Sequence, residues 1–205
     1  AMGLEVVMVN DGSTDQTAKT ATEAGARVIS HVRNQGKGTA LRTGFAYALQ
    51  AGYDMIVTVD SDGQHDPNDI PRLLEAAQQP QAGLIVGNRL DGTPDAMPLA
   101  RHWTNRLMSL TVSALARRRI PDSQSGFRVI PNALLSSVTL SARHFEIETE
   151  VVLAAIRAGW HVTSVPVRAI YDTQRSRIRP IRDGVRFLLL MLRYLWAAPR
   201  MRHGV

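Results

Sequence analysis

Asp60-Ser61-Asp62-Gly63-Gln64 gathers oxygen donors at one place in the chain. The apolar run Met55-Ile56-Val57-Thr58-Val59 just before it reads as a buried strand. Two carboxylates one residue apart at the C-terminal end of a strand point the same way and can hold one divalent cation. Gln64, two residues further on, adds an amide oxygen. Mg²⁺ and Mn²⁺ both take such oxygen ligands, and Mg²⁺ is usually held by one or two carboxylates together with substrate phosphates. Asp60, Asp62 and Gln64 are therefore candidate metal ligands. They would lie at the open edge of an α/β sheet, where a metal-bridged diphosphate fits. The plain competitor is a surface Asp-Gly turn, and the rest of the chain decides between them.

Other residues stand where ligands could be met. Asn10 and Asp11 end an apolar strand pattern, just before Gly12. Lys37 lies between Gly36 and Gly38, whose missing side chains let backbone approach a ligand closely; it reads either as a phosphate-reaching lysine or as part of a flexible basic loop. Arg89 follows a strand end. Arg101 and Asn105 share a helical face one turn apart, and the arginine fork suits phosphate. Arg128 follows Ser125-Gly126-Phe127 and can face either an acid or a substrate. Glu146, Glu148 and Glu150 crowd a helix start, where carboxylates complement the dipole or serve as base or sugar ligands. Arg175, Arg177 and Arg179 form a basic cluster late in the chain.

The elements that must position these residues alternate. Strand patterns cover Leu4–Val9, Ala26–Ser30, Met55–Val59, Gly83–Gly87 and His161–Tyr171. Helical patterns cover Ser13–Ala24, Thr39–Ala51, Pro67–Gln78, Leu99–Arg117, Glu148–Ala158 and Ile181–Leu195, with a short helical turn at Asn132–Ser136. Such alternation predicts an α/β fold with a mostly parallel sheet flanked by helices. Gly25, Gly52 and Gly159 each follow a predicted helix, as C-terminal caps do.

Composition narrows the class. The chain has 205 residues, is 44% apolar and has no cysteine, so it is globular and without disulfide, thiolate catalyst or zinc–thiolate site. The net charge of +6 favours anionic partners. The basic excess gathers after Arg168, and no apolar run reaches the roughly 18 residues of a membrane span. Arg182 and Arg186 with Phe187, Leu188, Leu190 and Met191 give the pattern of an interfacial helix. No aromatic-interleaved basic motif points to nucleic acid.

An ordered set of segments resembles inverting family 2 glycosyltransferases of the GT-A, Rossmann-like fold, within them the polyprenyl-phosphate sugar transferases. The set is Val9-Asn10-Asp11-Gly12-Ser13-Thr14-Asp15, Asn34-Gln35-Gly36-Lys37-Gly38, Asp60-Ser61-Asp62-Gly63-Gln64-His65-Asp66-Pro67, Gly87-Asn88-Arg89, Ser125-Gly126-Phe127-Arg128, Phe145-Glu146-Ile147-Glu148 and Val165-Pro166-Val167. The resemblance implies a GT-A domain over 4–172, followed by a basic loop and amphipathic helix over 173–205. It also implies that the family's first strand and helix are lacking, since the match starts at the second strand.

Site roles follow from the same resemblance. Asn10, Asp11, Lys37, Asp60, Asp62, Arg128, Arg175 and Arg177 would bind a nucleotide-sugar donor, a GDP- or UDP-sugar. Asp60, Asp62 and Gln64 would hold Mg²⁺ or Mn²⁺. Arg89, Arg101 and Asn105 would bind the acceptor phosphate, with Asp62, Arg89 and Arg101 as the catalytic set. The implied reaction moves a sugar to a polyprenyl phosphate with inversion, at the cytoplasmic face of a membrane on which the protein sits peripherally. Two alternatives stay open: transfer to a glycan or small hydroxylated acceptor, with Glu146 or Glu148 as base, and a non-catalytic nucleotide- or membrane-binding remnant.

Overall fold

The computed structural model describes residues 3–91, 97–170 and 180–196. Six strands and seven helices are described in the order β1 (Val7–Asn10), α1 (Thr17–Glu23), β2 (Arg27–Ser30), α2 (Lys37–Ala51), β3 (Met55–Thr58), α3 (Ile70–Ala77), β4 (Leu84–Asn88), α4 (Leu99–Ala116), β5 (Arg128–Pro131), α5 (Asn132–Ser137), α6 (Ile147–Arg157), β6 (Val162–Pro166) and α7 (Pro180–Trp196). A 3-10 turn over Pro67–Asp69 precedes α3, with Asp66 capping it by accepting the Asn68 N–H at 3.0 Å.

The strands form two sheets among the described residues, β1-β2 and the four-stranded β3-β5-β4-β6. β1 and β2 are parallel, as are β4 and β6. β5 runs antiparallel to both β3 and β4. The class is thus α/β with helices on the sheet, as the alternation predicts, but β5 makes the larger sheet mixed. That strand is short, Arg-Val-Ile-Pro, and it starts inside a stretch whose Ser-Gly pair reads as loop.

Strand β4 is central, and all five of its residues are buried. Its side chains alternate between two cores, as a pleated strand requires. Leu84 and Val86 join Ile130, Phe45, Leu134, Ile147, Val151 and Val152 beneath α2, α5 and α6. Ile85 joins Phe127, Val129, Val165 and Leu73 beneath α3. Helix α6 is buried from Ile147 through Ala155, glutamates included. Helix α7 lends Leu190 and Met191 to the first core, each 4% exposed. It is clasped to α6 where Arg157 donates to the Tyr194 carbonyl at 2.7 Å and lies over the Tyr194 ring at 4.3 Å.

Helix α2 joins the two sheets. Its Gly44 lies against Val9 of β1. Its Phe45 and Leu41 pack in the core that also holds Ile56 of β3. Glu5, just before β1, accepts hydrogen bonds from Tyr47 of α2 and from Tyr53. The C-terminal ends of β1 and β3 carry Asp11 and Asp60 into the loops above, and the site is built there.

Candidate functional site

Lys37 opens helix α2, where the sequence reads a loop. Gly36 ahead of it has φ 98°, a backbone state that favours glycine, and a Cβ there would stand 2.4 Å from the Arg143 carbonyl oxygen. The Gly38 N–H donates to that same carbonyl at 2.9 Å. The two glycines therefore let α2 start hard against residues 142–144. This sets the Lys37 Nζ 2.7 Å from Asp60 Oδ1 and 2.6 Å from Glu148 Oε1, and 5.7 Å from the centre of the Phe145 ring. Burial works against the ammonium, yet the Glu148 and Asp60 carboxylates outweigh it and raise the Lys37 pKa. Burial would likewise raise Asp60, but the charge of Lys37, with help from His65, holds that carboxyl far below the usual carboxylate range. The site thus contains a fixed charge triad: one cation between two anions.

The loop from Asp122 to Arg128 closes around it. A Cβ on Gly126 would fall 2.6 Å from Asp60 Oδ2, so this residue is glycine because the carboxylate occupies the space. Thr58 donates to the Gly126 carbonyl at 2.7 Å. His65 Nε2 lies 3.8 Å from Asp60 Oδ2, and its ring packs 5.0 Å from that of Phe127. Arg128, expected at the donor, lies instead inside the protein at 1% exposure. It donates to the carbonyls of Ser125 at 2.7 Å, Glu148 at 2.7 Å and Ser123 at 3.0 Å. Its guanidinium also faces Glu148 Oε2 at 3.6 Å, so of its two candidate partners the acid is the one it meets. A side chain so enclosed holds the loop.

Asp62 is exposed, and its Oδ1 accepts the Gln64 N–H at 3.1 Å. Gln64 is half-buried, and its carbonyl accepts the Ile170 N–H at 3.0 Å. Asp60, Asp62 and Gln64 offer only oxygen, and Asp60 is held ionised, which suits a hard cation. Among the described residues no three acidic or imidazole groups converge.

Asp11 orders the loop above β1 and β2. Its Oδ1 accepts from the Gln35 N–H at 2.9 Å and meets His31 Nδ1 at 2.7 Å, while Oδ2 accepts from the Gly36 N–H at 2.7 Å. Burial would raise its pKa, but the bonds from His31 and the two amides prevail and lower it. His31 is backed by Thr43 of α2 at 2.9 Å. Asn10 is buried, with its Oδ1 accepting the Ser13 N–H at 3.0 Å and its Nδ2 directed to Ser30 Oγ at 3.4 Å. Asp11 shapes the loop that leads into Lys37, and Asn10 the turn that leaves β1.

The proposed acceptor group is placed differently from expectation. The Arg89 fork is taken by Asp122, with Nε to Oδ2 at 2.8 Å and Nη2 to Oδ1 at 3.1 Å, and both side chains are buried. Arg89 therefore locks the end of β4 to the closing loop. Asn105 is buried, with its Nδ2 4.0 Å from Met97 Sδ. Arg101 lies half-buried in the first turn of α4. The same helix is pinned to the closing loop by Ser109, whose Oγ accepts the Ser123 N–H at 2.9 Å. Arg175 and Arg177 lie outside the described residues.

Among the glutamates, Glu150 caps a turn by accepting from Ser141 N–H, Ser141 Oγ and Ala142 N–H at 2.8 to 2.9 Å. Glu146 Oε1 accepts from the Arg143 and His144 N–H groups, both at 3.3 Å, while Oε2 is buried with no hydrogen-bond partner. Asp122 and His31 are structurally decisive and invisible to the sequence reading. Each is one polar residue in a loop, and its partner lies 33 or 20 positions away.

The Glycosyl transferase family 2 pattern matches residues 2–139, and the chain belongs to that family. The chain is 30% identical over 195 residues to the UDP-N-acetylglucosamine–dolichyl-phosphate N-acetylglucosaminyltransferase of Methanococcus voltae, covering 85% of this chain and 77% of that one. It is 28% identical over 173 residues to the undecaprenyl-phosphate mannosyltransferase of Micrococcus luteus, covering 80% and 70%. Glucosyl-3-phosphoglycerate synthase from Mycobacterium tuberculosis, solved with Mn²⁺, UDP and glucosyl-3-phosphoglycerate, superposes with a TM-score of 0.68 at 22% identity, covering 93% of this chain and 67% of that one. The fold is GT-A and the protein is a glycosyltransferase.

Proposed function

We propose that the protein moves a sugar from a nucleotide donor to a polyprenyl phosphate, with inversion at the anomeric carbon. The observation that carries this reading is the Lys37 triad. Asp60 and Glu148 flank the site, and both serve as counterions to one ammonium. In this reading neither takes a proton from a hydroxyl. An acceptor phosphate is anionic near neutral pH and needs no such base. It attacks the anomeric carbon in a single displacement as the nucleoside diphosphate leaves, and inversion follows. The relatives named for dolichyl and undecaprenyl phosphates support the same acceptor class.

In this reading Asp60, Asp62 and Gln64 would hold a divalent cation, which would supply Lewis-acid charge neutralisation for a departing diphosphate. Lys37 keeps Asp60 ionised and fixed, so the cation ligand is oriented before the donor arrives. Asp11 holds the Gln35–Gly36 backbone beside the donor pocket. Arg101, at the start of α4, carries the acceptor-phosphate role, while Arg89 and Asn105 support the segments around it. Peripheral seating on a membrane surface belongs to this reading, supported by the exposed apolar residues of α7 and its arginines. Where solvent-extractable product forms from a nucleotide sugar and polyprenyl phosphate, Asp62→Ala should lower the rate roughly a hundredfold or more. It should also abolish metal-dependent binding of the nucleoside diphosphate in calorimetry. Unchanged binding in Asp62→Ala removes the metal assignment; product that stays in the aqueous phase removes the lipid acceptor.

One observation favours a second reading, transfer to a hydroxyl. Glu146 Oε2 is buried and has no hydrogen-bond partner, as a waiting base would be. Glu146→Gln separates the two, since it stops proton abstraction from a hydroxyl and spares attack by a phosphate.

A further inference from the structure

The loop between β2 and α2 leads into Lys37, and three other segments meet on it. The ends of β1 and β2 are stitched together where the His31 N–H donates to the Asn10 carbonyl at 2.9 Å, one step past their last paired residues. Gly12, at φ 73°, lies so near the loop that a Cβ there would stand 2.5 Å from the Arg33 carbonyl carbon. The turn after β1 and residues 33–34 thus touch backbone to backbone. Residues 32 to 35 are all exposed. Burial of apolar surface does not hold this loop, so hydrogen bonds must.

Those bonds form a closed ring. Thr43 Oγ1, in the second turn of α2, meets His31 Nε2 at 2.9 Å. His31 Nδ1 meets Asp11 Oδ1 at 2.7 Å. Asp11 in turn accepts the Gln35 and Gly36 N–H groups at 2.9 and 2.7 Å. Gly36 caps the start of α2, so the ring returns along the helix to Thr43. The side chains of His31 and Asp11 are only 10% and 16% exposed, so water competes little for their bond. A carboxylate only accepts, so Nδ1 carries a proton. A hydroxyl can both accept and donate, so Thr43 suits Nε2 in either charge state of the ring. His31 is the member that spans the gap: its two nitrogens, set rigidly across one imidazole, reach from α2 to Asp11. Asparagine offers a counterpart of the near nitrogen alone, glutamine of the far one alone.

We infer that His31 is a positioning residue for the transfer. It fixes the Asp11 carboxylate, and through it the loop over 33–36 and the start of α2 at Lys37, in the arrangement that receives the donor. It therefore governs donor affinity and leaves the chemical step alone. The effect on the donor rests on the transfer reading; the effect on the loop does not.

The test is amide hydrogen exchange, read by NMR on the full chain without nucleotide, followed by calorimetric binding of UDP and GDP with Mn²⁺. In His31→Gln the Gln35 and Gly36 amides should exchange about tenfold faster or more, as expected when a bond to a charged group is lost. His31→Asn puts an amide nitrogen where Nδ1 stood and should restore most of the protection. Thr43→Val removes only the hydroxyl and should speed exchange about threefold. The dissociation constant for the nucleotide that the parent binds should rise about tenfold in His31→Gln, while the rate at saturating donor stays within about twofold. Circular dichroism checks that each variant is folded; if His31→Gln is not, Thr43→Val carries the test. Unchanged exchange in folded His31→Gln or Thr43→Val overturns the inference. So does a His31→Asn protein that exchanges as fast as His31→Gln, or a loss of saturated rate at unchanged nucleotide affinity. A parent that binds neither nucleotide removes the transfer reading, and the exchange rates still decide whether His31 positions the loop.

Discussion

Strands β1 and β4 are built from similar residues and end in different surroundings. Val-Met-Val-Asn and Leu-Ile-Val-Gly-Asn both read as strands apolar on both faces. Between β5 and β6, with helices on both sides, every residue of β4 is buried. Strand β1 has β2 as its only strand neighbour among the described residues, and just one of its four residues, Asn10, is buried. Strand β3, Met-Ile-Val-Thr, is the same case: among the described residues it pairs with β5 alone, and it buries only Thr58. Composition thus records the environment a strand is suited to, whereas burial records the neighbours it has. The site straddles this divide, with Asp11 above β1 and Asp60 above β3.

The contrast can be tested by breaking each side. The largest effect is expected at Asp122→Ala, which strands the buried Arg89 guanidinium without its anion and should cost about 3–5 kcal/mol by urea denaturation. Next, Ile85→Ala in β4 should cost about 2–5 kcal/mol, while Val9→Ala in β1 should cost about 1 kcal/mol or less. Equal losses at the two positions would mean that β1 is as enclosed as β4. The smallest effect is in acid. The carboxyls of Asp11, Asp60 and Asp122 all have pKa values lowered by folding. A depressed folded pKa stabilises above the unfolded value of about 3.9 and is lost as pH falls toward the folded value. Thermal midpoints should therefore hold near neutrality and decline progressively below about pH 4. Asp11→Asn should flatten part of that decline.

Much of this was readable in advance. The periodicities of α2, α3, α4 and α6 appear within a few residues of their places, because long amphipathic patterns and glycine caps are local signals. β5 gives no such signal for the opposite reason: it is four residues long, and its partners lie far off in sequence. Among site residues, Asp60 and Lys37 do come together, though as an ion pair with Glu148 that spacing could not reveal. Arg89 and Arg128 show where reading by residue type stops. Their guanidinium groups suit phosphate equally well, yet the fold spends them on Asp122 and on three carbonyls. The charge alone does not distinguish a ligand hand from a structural rivet; only burial does.

Gly126 sets the tolerance of the whole assembly. With Asp60 Oδ2 standing 2.6 Å from where a methyl would be, even alanine needs the carboxylate to withdraw. Withdrawal would pull Asp60 from Lys37, and the strain would pass along the loop to Arg128 and Asp122. In a saturation library this position should return glycine alone, though the backbone there has no unusual twist and the residue itself performs no chemistry.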